Sequence, residues 1–344
     1  MVLIISKSNE ASTDKVLDWL HYKGSTFCRV NGEDLLSHGS RMSFEIGNDE
    51  LSFNLNQSKN INVETITSVW YRRDGACRLP ANFLAGISKE TFYKDIIRNL
   101  DQEYTAGKKG LYACITYNKK LLGNFQMPSP NKIEALTIAK KHGIDIPATL
   151  VTDAKPDLDA FIKRHGSVIT KSLWEAIAFS GKNNSSPGKG NGFPAGQIEE
   201  YSKFTEEITP EIFGSIPDTF FYSLFQEKLD KEIDIRVFFL DGRCYSMAIF
   251  SQMDSQTKVD FRKYTNNRNV PYQLPEMLET RIGGLMKELG YNTGSLDIVR
   301  TKNGRLVFLE VNPVGQYGMT SMPCNYRLDK QIAEFLIHNE HEQQ

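Results

Sequence analysis

Two acidic residues in the C-terminal part of the chain are spaced to share one face of a β-hairpin. Asn303-Gly304 separates two apolar runs, and an Asn-Gly pair favours a two-residue turn. Such a turn pairs Asp297 with Glu310, and directly opposed side chains in antiparallel strands point to the same face. Asn312 lies on that face as well, whereas Leu309 is expected on the opposite, buried face.

Two adjacent carboxylates in apolar strands repel each other unless a cation lies between them. Mg²⁺ binds one or two carboxylates together with phosphate oxygens, so the pattern predicts a magnesium site. The alternative is that one carboxylate faces solvent or pairs with Arg300 or Arg305. Pro313 and Gly315 favour the metal site, because they turn the chain into a loop directly after the three polar residues.

A second hairpin is predicted around Asp241-Gly242, which also lies between two apolar runs. Its first strand contains Asp234 and Arg236, which share a face because they are two residues apart. The guanidinium of Arg236 can bind phosphate in a fork geometry. An ion pair between Arg236 and Asp234 explains the spacing equally well.

Three further features upstream could contact a nucleotide. Residues 225–229 end a predicted strand and can offer backbone N–H and C=O groups to a purine base. Lys171 ends an apolar strand, where a buried ammonium needs an anion, either a phosphate or a structural carboxylate. Lys132 lies in the first turn of a helix predicted to have Ser129 as N-cap and Pro130 at its first position, and a cation there opposes the helix dipole unless an anion is bound.

The elements that must hold these residues begin with a β-α-β pattern. Residues 2–5 form an apolar strand, residues 12–22 an amphipathic helix with Ser12 as N-cap, and residues 27–30 a second strand. This order predicts a small α/β domain. The other predicted elements are helices over 90–106, 110–121, 130–143, 157–165, 275–289 and 326–338, and strands within 44–69, 149–152 and 167–171.

The segment 180–196 is rich in Gly, Ser, Asn and Pro and is predicted to be a flexible loop between strands. Lys189 is followed by Gly rather than Ser or Thr, which excludes a Walker A loop. Gly188, Gly190 and Gly192 do not form a dinucleotide-binding fingerprint, because no strand leads into them and no helix follows. The two interpretations are a flap that closes over a triphosphate and a solvent-exposed loop.

Composition narrows the function classes. The 344 residues carry a formal charge of −1, which provides no global field to attract nucleic acid or an anionic membrane. Five scattered cysteines without a CxxC pair indicate neither a zinc knuckle nor a disulfide framework. No apolar run has the length of a signal peptide or a membrane span, so we expect a soluble cytoplasmic protein with no nucleic-acid or membrane partner.

The order and spacing of seven segments resemble those of a known superfamily. These segments are Trp70-Tyr71-Arg72-Arg73, Asn131-Lys132, Gly143-Ile-Asp-Ile-Pro147-Ala-Thr149, Phe225-Gln226-Glu227-Lys228-Leu229, Asp234-Ile-Arg236, Asp260-Phe261-Arg262 and residues 309–317. Together they resemble an ATP-grasp ligase. More narrowly they are similar to the ATP-grasp ribosomal peptide maturases, the microviridin-type or graspetide macrocyclases of the grasp-with-spasm group.

The resemblance implies an α/β (α+β) chain with the ATP-grasp fold and an N-terminal Rossmann-like pre-ATP-grasp domain. That domain is expected at 1–125. A central ATP-grasp subdomain carrying the flexible loop is expected at 126–222, and a C-terminal subdomain carrying the metal site at 223–344.

The resemblance also implies roles for individual residues, with ATP and Mg²⁺ as cofactors. The lysines at the ATP phosphates are Lys132 and Lys171, the adenine-binding hinge is Gln226, Glu227, Lys228 and Leu229, the ribose-binding acid is Asp234, and the metal ligands are Asp297, Glu310 and Asn312. Arg236 is the phosphate or acyl-phosphate contact. The catalytic set is Arg236, Arg262 and Lys171, and the residues expected near an acidic side chain of the substrate are Arg72, Arg73 and Arg262.

The implied activity is macrocyclisation of a ribosomally made precursor peptide with a leader and an acidic, Thr- and Lys-containing core. Glu or Asp side chains would be activated as acyl phosphates and captured by a Lys amine or a Ser/Thr hydroxyl of the same peptide. The resemblance also suggests a homodimer. The alternatives are a carboxylate–amine ligase that adds an amino acid to a protein or a small molecule, a non-catalytic peptide-binding module on the same scaffold, and a kinase that stops at phosphoryl transfer.

Overall fold

The computed structural model describes residues 1–33, 52–55, 59–75, 81–89, 91–127, 129–174, 177–182, 198–203, 205–251 and 267–338. Within these ranges the strands form a four-stranded parallel sheet, a four-stranded antiparallel sheet, a five-stranded antiparallel sheet and two hairpins. None of the described helices combines the length and apolar character needed to cross a membrane.

The N-terminal region is built on the parallel sheet, whose strand order is β2-β1-β5-β6. Its elements are β1 (Val2–Ser6), α1 (Ala11–Tyr22), β2 (Phe27–Asn31), β3 (Ser52–Leu55), β4 (Lys59–Asn62), β5 (Ser68–Tyr71), α2 (Ala81–Ile87), α3 (Tyr93–Thr116) and β6 (Lys120–Leu122). Every residue of β1 and β5 is buried, as expected for central parallel strands covered on both faces. This confirms the predicted α/β domain.

The central region consists of the antiparallel sheet β11-β8-β12-β7 and the hairpin β9-β10. Its elements are α4 (Lys132–Lys141), β7 (Thr149–Ala154), α5 (Lys155–His165), β8 (Val168–Lys171), β9 (Ile177–Lys182), β10 (Ile198–Lys203), β11 (Glu206–Glu207), α6 (Pro210–Ser215) and β12 (Thr219–Glu227). The expected boundary at 222/223 would cut through β12, so a division after Glu227 keeps this sheet whole. Residues 183–197 of the predicted flexible loop lie outside the described residues, and residues 180–182 belong to β9.

The C-terminal region carries the five-stranded sheet, in the order β15-β14-β13-β16-β17. Its elements are β13 (Lys231–Leu240), β14 (Arg243–Ile249), β15 (Asn269–Tyr272), α7 (Glu276–Glu288), β16 (Thr293–Thr301), β17 (Leu306–Asn312), α8 (Gly318–Cys324) and α9 (Leu328–Ile337). Helices α4 and α7 cover one face, where Leu136 and Ile282 share a core with Ile235, Ile298 and Phe308. The opposite face carries the polar residues and is called the site face below.

Helix α9 joins the first and last parts of the chain. Its buried residues Leu328, Ile332 and Leu336 pack in one core with Val2 of β1 and Trp70 of β5. The N-terminal sheet and the C-terminal region are therefore held together by a shared apolar core.

Three local predictions are wrong. The predicted helices 90–106 and 110–121 are one continuous helix, α3, followed by strand β6. Helix α4 is capped by Asn131, whose side chain accepts from the N–H groups of Ile133 and Glu134, and not by Ser129. Helix α1 begins after Glu10, and the Ser12 hydroxyl bonds to the Glu10 carboxylate instead of capping the helix.

Candidate functional site

Three adjacent strands place Arg236, Asp297 and Glu310 in one row across the site face. Arg236 on β13 is the register partner of Asp297 on β16, which is in turn the partner of Glu310 on β17. Arg236 Nη1 donates to Asp297 Oδ1 at 2.6 Å, and both side chains are largely buried. Arg236 thus forms its ion pair with Asp297 on the neighbouring strand and not with Asp234 on its own strand.

The hairpin that pairs Asp297 with Glu310 is not built as predicted. Its loop has three residues rather than two, because Thr301 N–H donates to Arg305 O at 2.9 Å and Gly304 N–H donates to Thr301 O at 2.9 Å. Gly304 has φ +84°, a conformation that glycine adopts without strain. By contrast, the predicted two-residue turn at Asp241-Gly242 is confirmed, with positive φ at both residues as a type I′ turn requires.

A β-bulge restores the predicted pairing. Ile298 faces Phe308, one residue short of the predicted register, and Leu309 is the extra residue before Asp297 meets Glu310. Bulges re-aim side chains next to functional sites. Leu309 accordingly lines a cleft on the side of the central sheet instead of the opposite, buried face.

Lys132 connects this row to the central sheet. Its ammonium donates to the carbonyl oxygens of Ser172 at 2.8 Å and Trp174 at 2.6 Å, and lies 3.7 Å from Glu310 Oε2. The helix dipole at the start of α4 is therefore opposed by a cation that three oxygen atoms stabilise.

Asp297 and Glu310 do not pair with Arg300 or Arg305, the cationic partners that the sequence suggested as an alternative to a metal. Arg300 pairs with Glu232 and Arg305 with Asp145. The two carboxylates of the row are instead balanced by Arg236 and Lys132.

The donor set fits a divalent metal that phosphate and water would complete. Asp297 and Glu310 supply carboxylate oxygens and Asn312 an amide oxygen, the ligand type that Mg²⁺ prefers. Asn312 Oδ1 also accepts from the N–H groups of Val314 and Gly315, at 3.1 and 3.4 Å. In the described part of the chain no three His, Cys, Asp or Glu side chains converge as an all-protein metal cage.

A pocket of about 730 Å³ lies over the site face. Its polar wall contains Arg236, Asp297, Glu310 and Asn312, and its opposite wall is formed by α8 and the residues before it, including Gln316, Met319 and Met322. The pocket is large enough for a substrate group beside the charged row.

A narrower cleft lies between the central sheet and β17, at the end of β12. It is lined by Pro147, Ile169, Lys171, Thr205, Gln226, Glu227, Lys228, Leu229, Lys231 and Leu309. The predicted hinge residues and Lys171 are thus brought together at one cleft. The N–H groups of Glu227 and Lys228 donate to Ala148 O and Ser167 O.

Asp234 is buried below this cleft. Its carboxylate accepts from Lys231 Nζ at 3.0 Å and from the Ser251 hydroxyl. Lys231 itself lines the cleft, so Asp234 reaches the cleft through that lysine. Its predicted contact with a ribose stays a prediction.

The arginines expected near the substrate are held by protein groups. Arg72 is buried and bonds to Glu10, Ser12 and the Val314 carbonyl, while Arg73 pairs with Glu10 at 3.2 Å. Burial lowers the pKa of Arg72 to about 10, against the opposing effect of Glu10, and the guanidinium stays charged at neutral pH. Arg262, with Asp260 and Phe261, lies outside the described residues.

Sequence reasoning missed two features of the site. Asn131 was available as a cap, because Asn followed three residues later by Glu134 is a capping pattern. Helix α8 carries no comparable signal, since seven residues with Pro323 inside show no helical periodicity. The apolar wall made by Met319 and Met322 could therefore not be predicted.

Comparison with known proteins agrees with this architecture. Residues 1–102 match the family model described as the MvdD pre-ATP grasp domain. No curated protein sequence matches the chain.

Solved structures match over almost the whole chain. The macrocyclase MdnC from Microcystis aeruginosa MRC, bound with precursor peptide MdnA, is 22% identical with a TM-score of 0.78, over 98% of this chain and 99% of that one. A Chryseobacterium gregarium RiPP-associated ATP-grasp ligase in complex with ADP and a leader and core peptide is 22% identical with a TM-score of 0.80, over 98% and 96%. The ATP-grasp ligase PsnB, complexed with a phosphomimetic variant of minimal precursor, Mg and ADP, is 13% identical with a TM-score of 0.68, over 98% and 97%. The chain therefore has an N-terminal pre-ATP-grasp domain followed by the ATP-grasp fold, as the sequence resemblance predicts.

Proposed function

We propose that the chain is an ATP- and Mg²⁺-dependent ligase that forms side-chain ester or amide crosslinks within a ribosomally made precursor peptide. The observation that carries the proposal is the row Arg236–Asp297–Glu310 on one sheet face, with the hinge cleft beside it. The similarity to MdnC and PsnB, whose structures contain precursor peptides, supports a peptide as the substrate.

The reaction has two steps. A Glu or Asp carboxylate of the peptide attacks the γ-phosphorus of ATP and ADP leaves, giving an acyl phosphate. A Lys amine or a Ser/Thr hydroxyl of the same peptide then attacks the acyl carbon. Phosphate leaves and the nucleophile's proton passes to solvent, so each ring costs one molecule of water from the peptide's mass.

The residues contribute positioning and charge neutralisation. In our proposal the cleft at Gln226–Leu229 binds adenine, Lys132 and Lys171 contact phosphates, and Asp234 acts near the ribose. Mg²⁺, when bound by Asp297, Glu310 and Asn312, would offset the negative charge of the phosphates. Two of these assignments have direct geometric support, since Lys132 lies beside Glu310 and Lys171 lines the cleft.

Arg236 is proposed as the acyl-phosphate contact. It lines the pocket at the β13 end of the row, and a metal drawing on Asp297 would weaken the ion pair that now occupies its guanidinium. Arg73 and Arg262 are retained as proposed contacts of the acidic substrate side chain. For Arg72 the contacts in the structure support another role, which is developed below.

The test uses purified protein, Mg·ATP and the peptide encoded by a short reading frame beside the gene, rich in Thr, Lys, Asp and Glu. We expect ATP-dependent loss of one or more waters by mass spectrometry. Addition of an amino-acid residue would favour the carboxylate–amine ligase, a stable phosphopeptide the kinase, and binding without ATP turnover the non-catalytic module.

A pair of variants tests the metal ligand. Glu310→Gln keeps the shape and polarity of a partly exposed side chain but removes its charge, so water loss should fall by at least about 100-fold. Glu232→Gln is the matched control, because Glu232 lies on the same sheet in a surface pair with Arg300 and should leave activity within about twofold. Full activity of Glu310→Gln would refute the metal assignment.

The location and assembly of the protein are also proposals. We infer a cytoplasmic protein, supported by the four described cysteines, which are all free thiols. A homodimer is retained as a proposal.

A further inference from the structure

The N-terminal sheet has a topological switch point, the place where open α/β sheets bind their ligands. Its strand order is β2-β1-β5-β6, so the chain leaves β1 and β5 in opposite directions. In open parallel sheets, ligands bind outside the carboxyl ends of the two strands at such a switch point. Here that edge is formed by Glu10 and Ser12, which follow β1, and by Arg72, which follows β5.

This edge of the sheet is in contact with a segment of the C-terminal region. Residues 313–317 follow the proposed metal ligand Asn312 directly, and we call them the ligand loop. Its Tyr317 is buried, donates its hydroxyl to the Ser12 carbonyl oxygen and packs against Phe238 of β13. The ligand loop, which follows a proposed metal ligand, thus lies against the switch point of the N-terminal sheet.

Arg72 is the group that holds this loop. Nη1 donates to the carbonyl oxygen of Val314, Nη2 donates to Ser12 Oγ at 3.2 Å and pairs with Glu10 Oε1 at 3.5 Å. The guanidinium carbon lies 5.7 Å from the centre of the Tyr317 ring, within cation–π range. Only 3% of the side chain is exposed, so these contacts are shielded from water.

The loop is coupled in turn to the proposed metal ligand. Asn312 Oδ1 accepts from the N–H groups of Val314 and Gly315, and Gly315 N–H also donates to the Asn312 carbonyl at 3.1 Å. The orientation of the amide oxygen therefore depends on the position of the backbone that Arg72 fixes.

We propose that Arg72 is a positioning residue that, with Tyr317, fixes the ligand loop and thereby sets the affinity of the Asn312 site for the metal–nucleotide complex. The proposal rests on the proposed function for the identity of that complex. Mutation of residues that orient metal ligands commonly lowers metal affinity by about 10- to 100-fold. The N-terminal domain would in this way act on nucleotide binding without touching the nucleotide.

The test compares Arg72→Met and Tyr317→Phe with the parent protein. The first measurement is the Kd of ADP by calorimetry, with and without Mg²⁺. The second is hydrogen–deuterium exchange of the amides of residues 314–317 in the protein without nucleotide. Arg29→Met is the matched control, because Arg29 on β2 also bonds a backbone carbonyl and a carboxylate but does not contact the ligand loop.

We expect Arg72→Met to weaken Mg·ADP binding about 10-fold or more, with less effect on metal-free ADP, and to speed exchange in the ligand loop. Tyr317→Phe keeps the ring and should act in the same direction with a smaller effect, which keeps the test decisive if Arg72→Met does not fold. Parent-like exchange and Mg·ADP affinity in folded variants would overturn the proposal. Failure of the parent itself to bind Mg·ADP would instead count against the proposed function, while the exchange measurement still tests the loop.

Discussion

The Arg236–Asp297 ion pair lends itself to a double-mutant cycle of Arg236→Met and Asp297→Leu. The contact is 2.6 Å long, and the two side chains are 8% and 12% exposed. Charge centres about 4 Å apart attract each other by about 4 kcal/mol at an effective dielectric constant of about 20. Removing one partner also leaves the other charge buried, so each single variant should lose about 3 kcal/mol in the free energy of unfolding.

The double variant should recover most of that loss, because replacing a buried pair by apolar residues of similar size is close to neutral. We expect a coupling energy of about 5 kcal/mol, nearly the two single losses together, measured from urea unfolding of the four proteins. The same cycle on Arg300 and Glu232, which are 34% and 45% exposed, should give less than about 1 kcal/mol. If the two single changes at Arg236 and Asp297 add within about 0.5 kcal/mol, the pair does not carry the stabilisation inferred here.

Two further predictions concern the backbone and pH. Gly304→Ala should cost only about 1 kcal/mol in unfolding free energy, since its positive φ is strained for Ala but the space around it is open. Gly123→Ala should cost several times more, because the new Cβ would overlap the Tyr71 carbonyl oxygen. Equal losses in the two variants would contradict this account. Burial raises the pKa of Tyr291 to about 12 and also raises that of Tyr112, so the folded protein keeps protons that the unfolded chain releases above about pH 10. These groups should leave stability unchanged below about pH 10 and lower it between about pH 10 and 12. In Tyr112→Phe the midpoint of urea unfolding should fall less steeply with pH over this range. An unchanged dependence of the urea midpoint on pH would exclude a contribution from Tyr112.

The metal hairpin illustrates what the sequence could and could not predict. Alternating apolar residues around Asn303-Gly304 were enough to identify the hairpin and its acidic face. The loop was mispredicted because an Asn-Gly pair also suits a three-residue loop with Gly304 at its last position. The partner of Asp297 was still right, because the bulge at Leu309 cancels the error. The local sequence contains no pattern that predicts the bulge at Leu309.

Interactions between distant segments were beyond sequence reasoning for a similar reason. Arg72 is 242 residues from Val314, and its residue type suits a substrate carboxylate as well as a buried carbonyl. The choice depends on how the N-terminal sheet meets the ligand loop, which no spacing encodes. The predicted break between residues 106 and 110 is likewise absent from α3, since Leu111, Tyr112 and Ile115 bury its last turns against the sheet.

The shared core at α9 has a consequence for synthesis of the protein on the ribosome. Ser68 donates to the Leu336 carbonyl at 2.8 Å and Lys120 to the Phe335 carbonyl at 2.7 Å, so the end of α9 is attached to β5 and β6. On one face of the N-terminal sheet, Val2 and Trp70 share a core with Val16 and Leu20 of α1 and with Leu328 and Ile332 of α9. The part of this face that α9 covers is exposed to solvent and chaperones during synthesis until α9 has been made. The core of the N-terminal sheet is therefore completed only after α9 has been synthesised.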